Sequence, residues 1–314
     1  MTRPVGIVGA GLVGSGWAIV FARAGYPVRV FDSDARTMAT FAERVRGNLE
    51  DLARYELIDS PDAVFERVEM VDTLEQAVGE ADHVQESVFE RTDVKQAIYR
   101  QIDEVVGADT VVGSSSSGIP ASEFTDGLDH RENYLVVHPV NPPYLVPVVE
   151  IVPAPWTRAE AVERATTLME AVGQVPVLVR REVAGFVLNR LQGALLREAW
   201  ALYEEGYASL EDIDKTVSAG LGRRWSFMGP FETIDLNAPG GISDYAERLG
   251  GLYLDIARQR SDPQPWSRNL IARADAERRG ALPKESLGER TKWRDRRLMA
   301  LSAFMARSRE AEGE

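Results

Sequence analysis

Apolar residues in the first half of the chain occur in short runs, separated by longer segments in which they recur every three or four positions. Short runs are typical of buried strands, and the longer period is typical of helices. The two alternate, as a parallel sheet with crossover helices requires. The pattern predicts strands at residues 5–8, 28–31, 68–71, 83–86, 110–113, 134–137, 148–152 and 175–179, with helices at 15–24, 34–56, 73–78, 92–105 and 157–172.

From residue 182 onward the strand pattern disappears. Residues 183–205 form a mostly apolar helical segment, predicted to be buried. Ser209 is the expected N-cap of a helix that ends near Gly220. We therefore predict an α/β fold, a Rossmann-type doubly wound, mostly parallel sheet over residues 1–182, followed by an all-helical C-terminal domain over 183–314. Its further helices are predicted at 230–237, 242–260, 267–278 and 286–310.

A glycine-rich segment joins the first predicted strand to the first predicted helix. Residues 9–14 read Gly-Ala-Gly-Leu-Val-Gly. In this setting Gly9 permits a tight turn, Gly11 lets backbone amides approach a pyrophosphate, and Gly14 lets helix and strand pack closely. Asp32 ends the next predicted strand, where its carboxylate can accept both hydroxyls of an adenosine ribose and repels a 2′-phosphate. The segment therefore predicts binding of NAD rather than NADP.

Composition narrows the function further. The net charge of −13 argues against nucleic acid and anionic membranes as partners. The chain has no cysteine and three histidines, which excludes disulfides and thiolate catalysis and makes a metal site an unfavoured hypothesis. A strand that begins near the fourth residue leaves no room for a signal peptide, and no apolar run reaches membrane-spanning length. We expect a cytoplasmic protein.

A histidine follows the predicted strand 134–137. His138 opens the segment His-Pro-Val-Asn-Pro-Pro, in which the prolines restrict the loop, and Glu150 lies twelve residues later. In open α/β folds this end of a strand faces the ligand. A carboxylate on one imidazole nitrogen sets the tautomer and leaves the other nitrogen as proton acceptor. The pattern favours His138 as a general base oriented by Glu150.

Two polar features accompany this pair. Four serines, residues 114–117, follow the predicted strand 110–113, where a hydroxyl could donate to a substrate oxygen or cap the next helix. Asn189 lies within an apolar helical segment and needs a polar partner. That partner is either the active site or a neighbouring helix, and the sequence leaves both readings open.

These segments together resemble the 3-hydroxyacyl-CoA dehydrogenase superfamily, which pairs an NAD domain with a helical domain and carries His-x-x-Asn-Pro followed by a glutamate. Within it, the chain is most similar to the lambda-crystallin and L-gulonate 3-dehydrogenase branch. The similarity runs from the first strand almost to the C-terminus. It is carried by residues 138–144, 182–192, 229–233 and 236–238, and by Trp-Arg-Asp at 293–295.

The resemblance implies roles at the reacting centre. It implies that His138 is the general base, that Glu150 is its orienting partner, and that Ser116 and Asn189 contact the substrate oxygen. The interval from Ser116 to His138 is one residue longer than in the family. Ser117 is therefore the alternative to Ser116.

The resemblance also implies the residues that hold NAD. Leu12, Val13 and Asp32 would contact the adenosine half. Glu90 and Lys95 match a glutamate and lysine pair near the nicotinamide ribose.

The implied reaction is NAD-dependent oxidation of the 3-hydroxyl of a small 3-hydroxy acid, with L-gulonate as the leading substrate. Arg223 and Arg224, in the predicted loop 222–227, are candidates for binding its carboxylate, and ordinary surface solvation is the alternative. Carnitine 3-dehydrogenase and 3-hydroxybutyryl-CoA dehydrogenase are the enzyme alternatives. A crystallin-like structural protein that binds NAD without turnover is the non-enzyme alternative. Retention of His138, Glu150, Ser116 and Asn189 argues against it, because binding alone requires none of them.

The helical half also predicts self-association. It contains more apolar helix than one small domain needs to bury, including Trp200, Leu202, Tyr203 and Phe231. We therefore expect a homodimer formed through residues 183–314, as the resemblance also implies.

Overall fold

The computed structural model describes residues 3–312, and within them eight strands form one sheet. In chain order the strands are β1 (Val5–Val8), β2 (Val28–Phe31), β3 (Val68–Met70), β4 (His83–Glu86), β5 (Val111–Ser114), β6 (Tyr134–Pro139), β7 (Val148–Pro153) and β8 (Val175–Leu178). Their spatial order is β3-β2-β1-β4-β5-β6-β7-β8. Neighbours run parallel except β6 and β7, which are antiparallel. The predicted doubly wound, mostly parallel sheet is confirmed.

The strand order places a topological switch point between β1 and β4. From β1 the chain builds outward to β2 and β3, and it then returns to place β4 on the other side of β1. Val8, the last residue of β1, is aligned with Phe31 on one side and with Glu86 on the other. The carboxyl ends of these three strands therefore meet at one edge, where ligands bind in open α/β sheets.

Helices cover both faces of the sheet because its central strands are apolar on both faces. Ile7 packs in a cluster with Trp17 and Leu49, whereas the next residue, Val8, packs in a second cluster with Tyr99. Successive residues of β1 thus supply two core layers. The helices of this region are α1 (Leu12–Arg23), α2 (Ala35–Arg54), α3 (Pro61–Phe65), α4 (Leu74–Val78), α5 (Thr92–Asp103), α6 (Ser122–Thr125) and α7 (Ala159–Ala171).

Strand β6 extends two residues past its predicted end. The strand 134–137 was expected to leave His138 at its tip, but antiparallel pairing with β7 continues the strand through Pro139. In this register His138 lies directly opposite Glu150. The twelve-residue interval between them therefore reflects two paired strands and the turn that joins them.

The chain forms two compact units. One contains the residues up to 190 together with those from 291 onward, and the other contains residues 191–290. The helices from this point are α8 (Leu188–Glu204), α9 (Leu210–Lys215), α10 (Gly222–Trp225), α11 (Pro230–Leu236), α12 (Gly241–Gln259), α13 (Arg268–Ala281) and α14 (Leu287–Glu312), with a π-helical segment, Thr216–Leu221, between α9 and α10.

The helix predicted over residues 183–205 differs from the structure in length and in burial. It begins only at Leu188, because Gly185 and Phe186 have positive φ values of 74° and 48°, which a right-handed helix does not allow. Apart from Tyr203 its apolar side chains are not buried, and Leu191 and Leu195 are 61% and 37% exposed. The helix predicted to end near Gly220 is α-helical only to Lys215 and continues as the π-helical segment. The other predicted strands and helices are confirmed to within three residues at each end.

The C-terminal helix α14 lies in the first unit from Thr291 onward, whereas residues 183–314 were predicted to form one helical domain. The physical reason is packing, since Met299 is 1% exposed within the core cluster that contains Trp17, and Leu298 packs against the same cluster. Among the described residues, the helices are too short or too polar to cross a bilayer.

Candidate active site

The glycine segment between β1 and α1 has the shape that a dinucleotide requires. Gly9 has a φ of 102°, and a Cβ there would lie 2.6 Å from the carbonyl oxygen of Ser87. At Gly14 a Cβ would lie 1.8 Å from the carbonyl oxygen of Gly9, so any side chain would force α1 away from β1. At Gly11 a Cβ would meet no atom within 4 Å. Gly9 and Gly14 thus serve packing, whereas Gly11 leaves the loop open to a pyrophosphate.

The start of α1 and the end of β2 complete this cradle. Helix α1 begins at Leu12 without a side-chain cap, so its first amides are free to bind an anion. Leu12 is 70% exposed and Val13 is half-buried. The Asp32 carboxylate accepts the amides of Ala10 and Asp34, both at 2.8 Å. Each of its oxygens retains a lone pair for a ribose hydroxyl, and its charge disfavours a 2′-phosphate.

Arg44 of α2 stabilises the glycine segment through hydrogen bonds. Its guanidinium donates to the carbonyl oxygen of Ala10 at 2.9 Å and to Ser15 Oγ at 2.8 Å. Sequence reasoning missed this residue. Its position in the middle of a charge-rich amphipathic helix gives no local signal of the contact.

His138 and Glu150 form a buried pair across the antiparallel strands β6 and β7. The His138 Nδ1 and Glu150 Oε2 atoms are 2.8 Å apart, and the two residues are 6% and 2% exposed. The second carboxylate oxygen accepts the backbone amides of Val187 and Leu188 at 2.8 and 2.9 Å. Glu150 thus contacts the histidine and the first turn of α8 together, and a carboxylate at a helix N-terminus is stabilised by the helix dipole.

These contacts keep Glu150 ionised. Burial by itself would raise the pKa of Glu150, but the hydrogen bonds from His138, Leu188 and Val187 outweigh it, and the pKa lies below its usual range. An ionised carboxylate on Nδ1 holds the proton there and leaves Nε2 of His138 as the basic nitrogen. The pair can therefore take a proton from an alcohol and stabilise the imidazolium that forms.

The serine segment after β5 turns two neighbouring hydroxyls in different directions. Ser116 is 0% exposed, and its Oγ lies 2.8 Å from Glu90 Oε1 and accepts the amide of Ile119 at 3.0 Å. Ser117 is exposed, and its Oγ is 3.4 Å from the same Glu90 oxygen. Its carbonyl oxygen accepts Nδ2 of Asn189 at 2.6 Å. The Ser116 hydroxyl is therefore internal, whereas Ser117 is exposed.

Lys95 lies within ion-pair distance of two carboxylates, Glu86 and Glu90. The Lys95 ammonium, 1% exposed, donates to both carboxylate oxygens of Glu86 at 3.0 Å and to Ser114 Oγ at 3.2 Å, which uses its three N–H groups. Glu90 Oε2 is 3.8 Å away. Glu90 also accepts the amides of Ser117 and Gly118 at 2.9 and 3.1 Å. Lys95 therefore neutralises the buried charge of Glu86, and Glu90 fixes the backbone of the serine segment.

The two candidate arginines belong to the other compact unit. Arg223 and Arg224 are exposed and lie in the short helix α10, where the sequence predicted a loop. The structure thus brings Asp32, His138, Glu150 and Asn189 into one unit and leaves the arginines outside it. Within residues 3–312, which the structure describes, no group of three or more His, Cys, Asp or Glu side chains could hold a metal ion.

Comparisons with known proteins agree with this arrangement. Two family models match consecutive parts of the chain: the NAD binding domain of 3-hydroxyacyl-CoA dehydrogenase over residues 4–183 and its C-terminal domain over residues 185–281. The human lambda-crystallin homolog is 37% identical over 301 residues, which cover 94% of each chain. The L-carnitine dehydrogenase of Oceanobacillus iheyensis is 35% identical and covers 79% of this chain and 80% of its own.

A solved structure extends the similarity along nearly the whole chain. The NAD⁺-dependent dismutase 5-formyl-3-hydroxy-2-methylpyridine 4-carboxylic acid 5-dehydrogenase is 27% identical, has a TM-score of 0.83, and covers 98% of this chain and 99% of its own. The predicted family, with its lambda-crystallin branch, is confirmed. The chain belongs to the 3-hydroxyacyl-CoA dehydrogenase family, and it is an NAD-dependent oxidoreductase that acts on a CH–OH group.

Proposed function

We propose that this enzyme oxidises the 3-hydroxyl of a small, free 3-hydroxy acid, with L-gulonate as the leading substrate. The observation that carries the proposal is the buried contact of 2.8 Å between His138 Nδ1 and Glu150 Oε2 at the ligand-binding edge. Nε2 of His138 takes the hydroxyl proton, and Glu150 stabilises the imidazolium. Bound NAD⁺ supplies the hydride acceptor.

Ser117 and Asn189 hold the reacting oxygen in this proposal. Ser117 is exposed, whereas Ser116 is buried and bonded to Glu90, which favours Ser117 as the donor. The hydrogen bond of 2.6 Å from Asn189 Nδ2 to the Ser117 carbonyl oxygen fixes the two residues relative to each other. Donors on the substrate oxygen stabilise it as an alkoxide forms and polarise the ketone in the reverse direction.

The cofactor-binding proposal follows the same geometry. Gly9, Gly11 and Gly14 form the cradle, and Leu12, Val13 and Asp32 lie beside the adenosine half. Glu90 and Lys95 belong to the nicotinamide ribose side of this proposal. Glu90 accepts the amide of Ser117 and so orders the serine segment, and Lys95 donates to Glu86 and Ser114.

A free acid is favoured over a coenzyme A thioester by the extent of the similarity. The solved structure that matches 98% of this chain is named for a small pyridine carboxylic acid. The 3-hydroxyacyl-CoA dehydrogenase of Gibberella moniliformis is 34% identical and covers 86% of this chain, less than the 94% covered by the human lambda-crystallin homolog. Arg223 and Arg224 remain our candidates for the substrate carboxylate. L-Carnitine is the second candidate substrate, because carnitine dehydrogenases are among the relatives.

The test is a panel of NAD⁺ reduction assays with L-gulonate, L-carnitine, 3-hydroxybutyrate and 3-hydroxybutyryl-CoA. We expect the highest kcat/KM with L-gulonate. A preference for L-carnitine would establish the second candidate, and a preference for the thioester would contradict the free-acid proposal. An Arg223→Gln variant should raise KM for the preferred acid while leaving NAD⁺ binding unchanged.

We also propose that the enzyme is a cytoplasmic homodimer that associates through residues 183–314, a helical substrate and dimerisation domain, while residues 1–182 bind NAD. The support is the surface of α8, where Leu191, Leu195 and Leu196 are 61%, 37% and 38% exposed. Contiguous apolar side chains of this size mark an interaction surface. A second copy of the same helical region would cover them.

A further inference from the structure

A hydrogen-bonded polar network lies at the carboxyl ends of β4 and β5. Ser115 Oγ accepts the indole N–H of Trp17 at 3.1 Å and Nε2 of Gln85 at 2.8 Å, and it lies 2.8 Å from Ser87 Oγ. The same Gln85 nitrogen donates to the carbonyl oxygen of Val137 at 3.1 Å. None of these side chains has a role in the proposed reaction.

The direction of each hydrogen bond in this network follows from its acceptors. A carbonyl oxygen can only accept, so the Gln85 atom beside Val137 is the amide nitrogen, and its other N–H points to Ser115. An indole N–H can only donate, so Ser115 Oγ receives two hydrogen bonds, which occupy both of its lone pairs. The Ser115 hydroxyl hydrogen must then point to Ser87 Oγ. Ser87 therefore has its own hydrogen free to donate elsewhere.

Ser87 occupies the switch point of the sheet. It follows β4 directly, its amide donates to the carbonyl oxygen of Val8 at 2.7 Å, and its own carbonyl oxygen lies against Gly9. Asp32 lies on one side of this position, at the end of β2, and His138 lies on the other side, on β6. Ser87 is half-buried, so its hydroxyl lies at the ligand-binding edge rather than in the core.

We propose that Ser87 is a cofactor-binding residue whose hydroxyl donates a hydrogen bond to an acceptor oxygen of the nicotinamide half of NAD. Trp17, Gln85 and Ser115 are its positioning residues, because their donors force the Ser87 hydrogen toward the ligand. The position of Ser87 in the strand order indicates which half of the cofactor it contacts. Asp32, at the end of β2, marks the adenosine half, whereas Ser87 lies beyond β1, toward the reacting centre. The inference rests on NAD binding and is independent of the acid substrate.

The test compares ligands that contain or lack the nicotinamide half. NADH and AMP affinities are measured by titration calorimetry for the wild type and for Ser87→Ala, and the melting temperature reports folding. A neutral hydrogen bond of this kind corresponds to roughly three- to tenfold in affinity. We expect NADH to bind that much more weakly to Ser87→Ala and AMP to bind equally well. Unchanged NADH affinity would overturn the proposal, and so would an equal loss for AMP, which would indicate a structural defect.

A second variant tests the orienting network. Ser115→Ala removes the group that fixes the Ser87 hydrogen, and it should weaken NADH binding by less than Ser87→Ala does. In the double variant the loss should not exceed that of Ser87→Ala, because both substitutions act through one hydroxyl. Additive losses would contradict the relay from Ser115 to Ser87. None of these measurements involves turnover, so failure of the proposed 3-hydroxy acid activity would leave them interpretable.

Discussion

Buried charges at the carboxyl edge of the sheet are paired within the chain, whereas the helical unit of residues 191–290 leaves its apolar side chains uncovered. At the edge, Glu150 is bonded to His138 and Lys95 is bonded to Glu86, and all four are nearly inaccessible. In the helical unit, Leu252 and Leu254 are 55% and 51% exposed. Within it five residues are buried: Tyr203, Thr233, Ala238, Leu270 and Ala274.

This contrast distinguishes the polar contacts that one chain forms by itself from the apolar surface that a second copy would have to cover. A buried charge costs free energy unless it is paired, and the buried charges of Glu86, Lys95 and Glu150 have partners within the chain. The helical unit leaves large apolar side chains exposed, and the proposed dimer would cover them. We therefore expect the proton-transfer pair to be a property of the monomer and the helical unit to depend on a second copy.

The largest expected effect comes from removing the base. In His138→Asn the amide cannot accept the hydroxyl proton as an imidazole does, so kcat should fall by about 10²–10⁴-fold. NADH affinity should remain within about twofold of the wild type, since the glycine cradle and Asp32 are untouched. Steady-state kinetics and NADH titration measure the two quantities. Retained turnover would refute the assignment of His138.

The orienting carboxylate should have the next largest effect. In Glu150→Gln the amide can present either a donor or an acceptor to Nδ1, which removes the preference for the tautomer with a basic Nε2. We expect kcat to fall on the order of 10²-fold, by analogy with other histidines oriented by a carboxylate. A change in KM alone would assign Glu150 to substrate binding instead.

The sequence predicts this pair well because its determinants are local. His138 and Glu150 are close in the chain and on adjacent strands, and the glycine spacing of residues 9–14 carries its own geometric meaning. The serine segment is different, because which hydroxyl faces outward depends on how Glu90 draws in the amides of Ser117 and Gly118. That contact joins residues far apart in the chain and has no periodic signature.

Long-range pairing also explains the other discrepancies. Lys95 also donates to Glu86 at 3.0 Å, a contact that the spacing of Glu90 and Lys95 does not reveal. The start of α8 depends on the positive φ values at Gly185 and Phe186, and a helical apolar pattern does not reveal them. An apolar helix also reads the same whether its own chain or a partner covers it, so the predicted burial of α8 could not be distinguished from an interface.

A charge on α8 should break the proposed dimer. Leu195→Glu places a carboxylate on the exposed apolar surface, where pairing with a second copy would bury it at a cost of a few kcal/mol. Sedimentation should change from a species near twice the chain mass to one of 34.7 kDa. Gln192→Glu, an exposed polar position on the same helix, is the matched control and should remain dimeric. A wild-type protein that sediments at the chain mass would exclude the dimer.

The smallest effect concerns His83, which lies beneath the polar network of the edge. Burial lowers its pKa to about 4, Arg164 acts in the same direction, and the hydrogen bond to Gln85 opposes them. Its Nε2 lies 3.2 Å from Gln85 Oε1, an acceptor, so the neutral ring carries its proton on Nε2. The unfolded chain takes up a proton near pH 6.5 and the folded protein resists it until about pH 4. His83 therefore lowers stability as the pH falls through this window, by at most about 1.4 kcal/mol per pH unit.

Replacing His83 with glutamine should remove that pH dependence while keeping a donor for Gln85. Urea denaturation of wild type and His83→Gln at several values between pH 4 and pH 7 measures it. We expect the variant to become steadily more stable relative to the wild type as the pH falls below 7. Above pH 7 the difference in unfolding free energy between the two proteins should be constant. His130, half-buried and bonded to Asp103, provides the control, and His130→Gln should leave the slope from His83 in place. Parallel curves for wild type and His83→Gln would mean that His83 takes up a proton at the same pH in the folded and unfolded protein, and that burial does not lower its pKa.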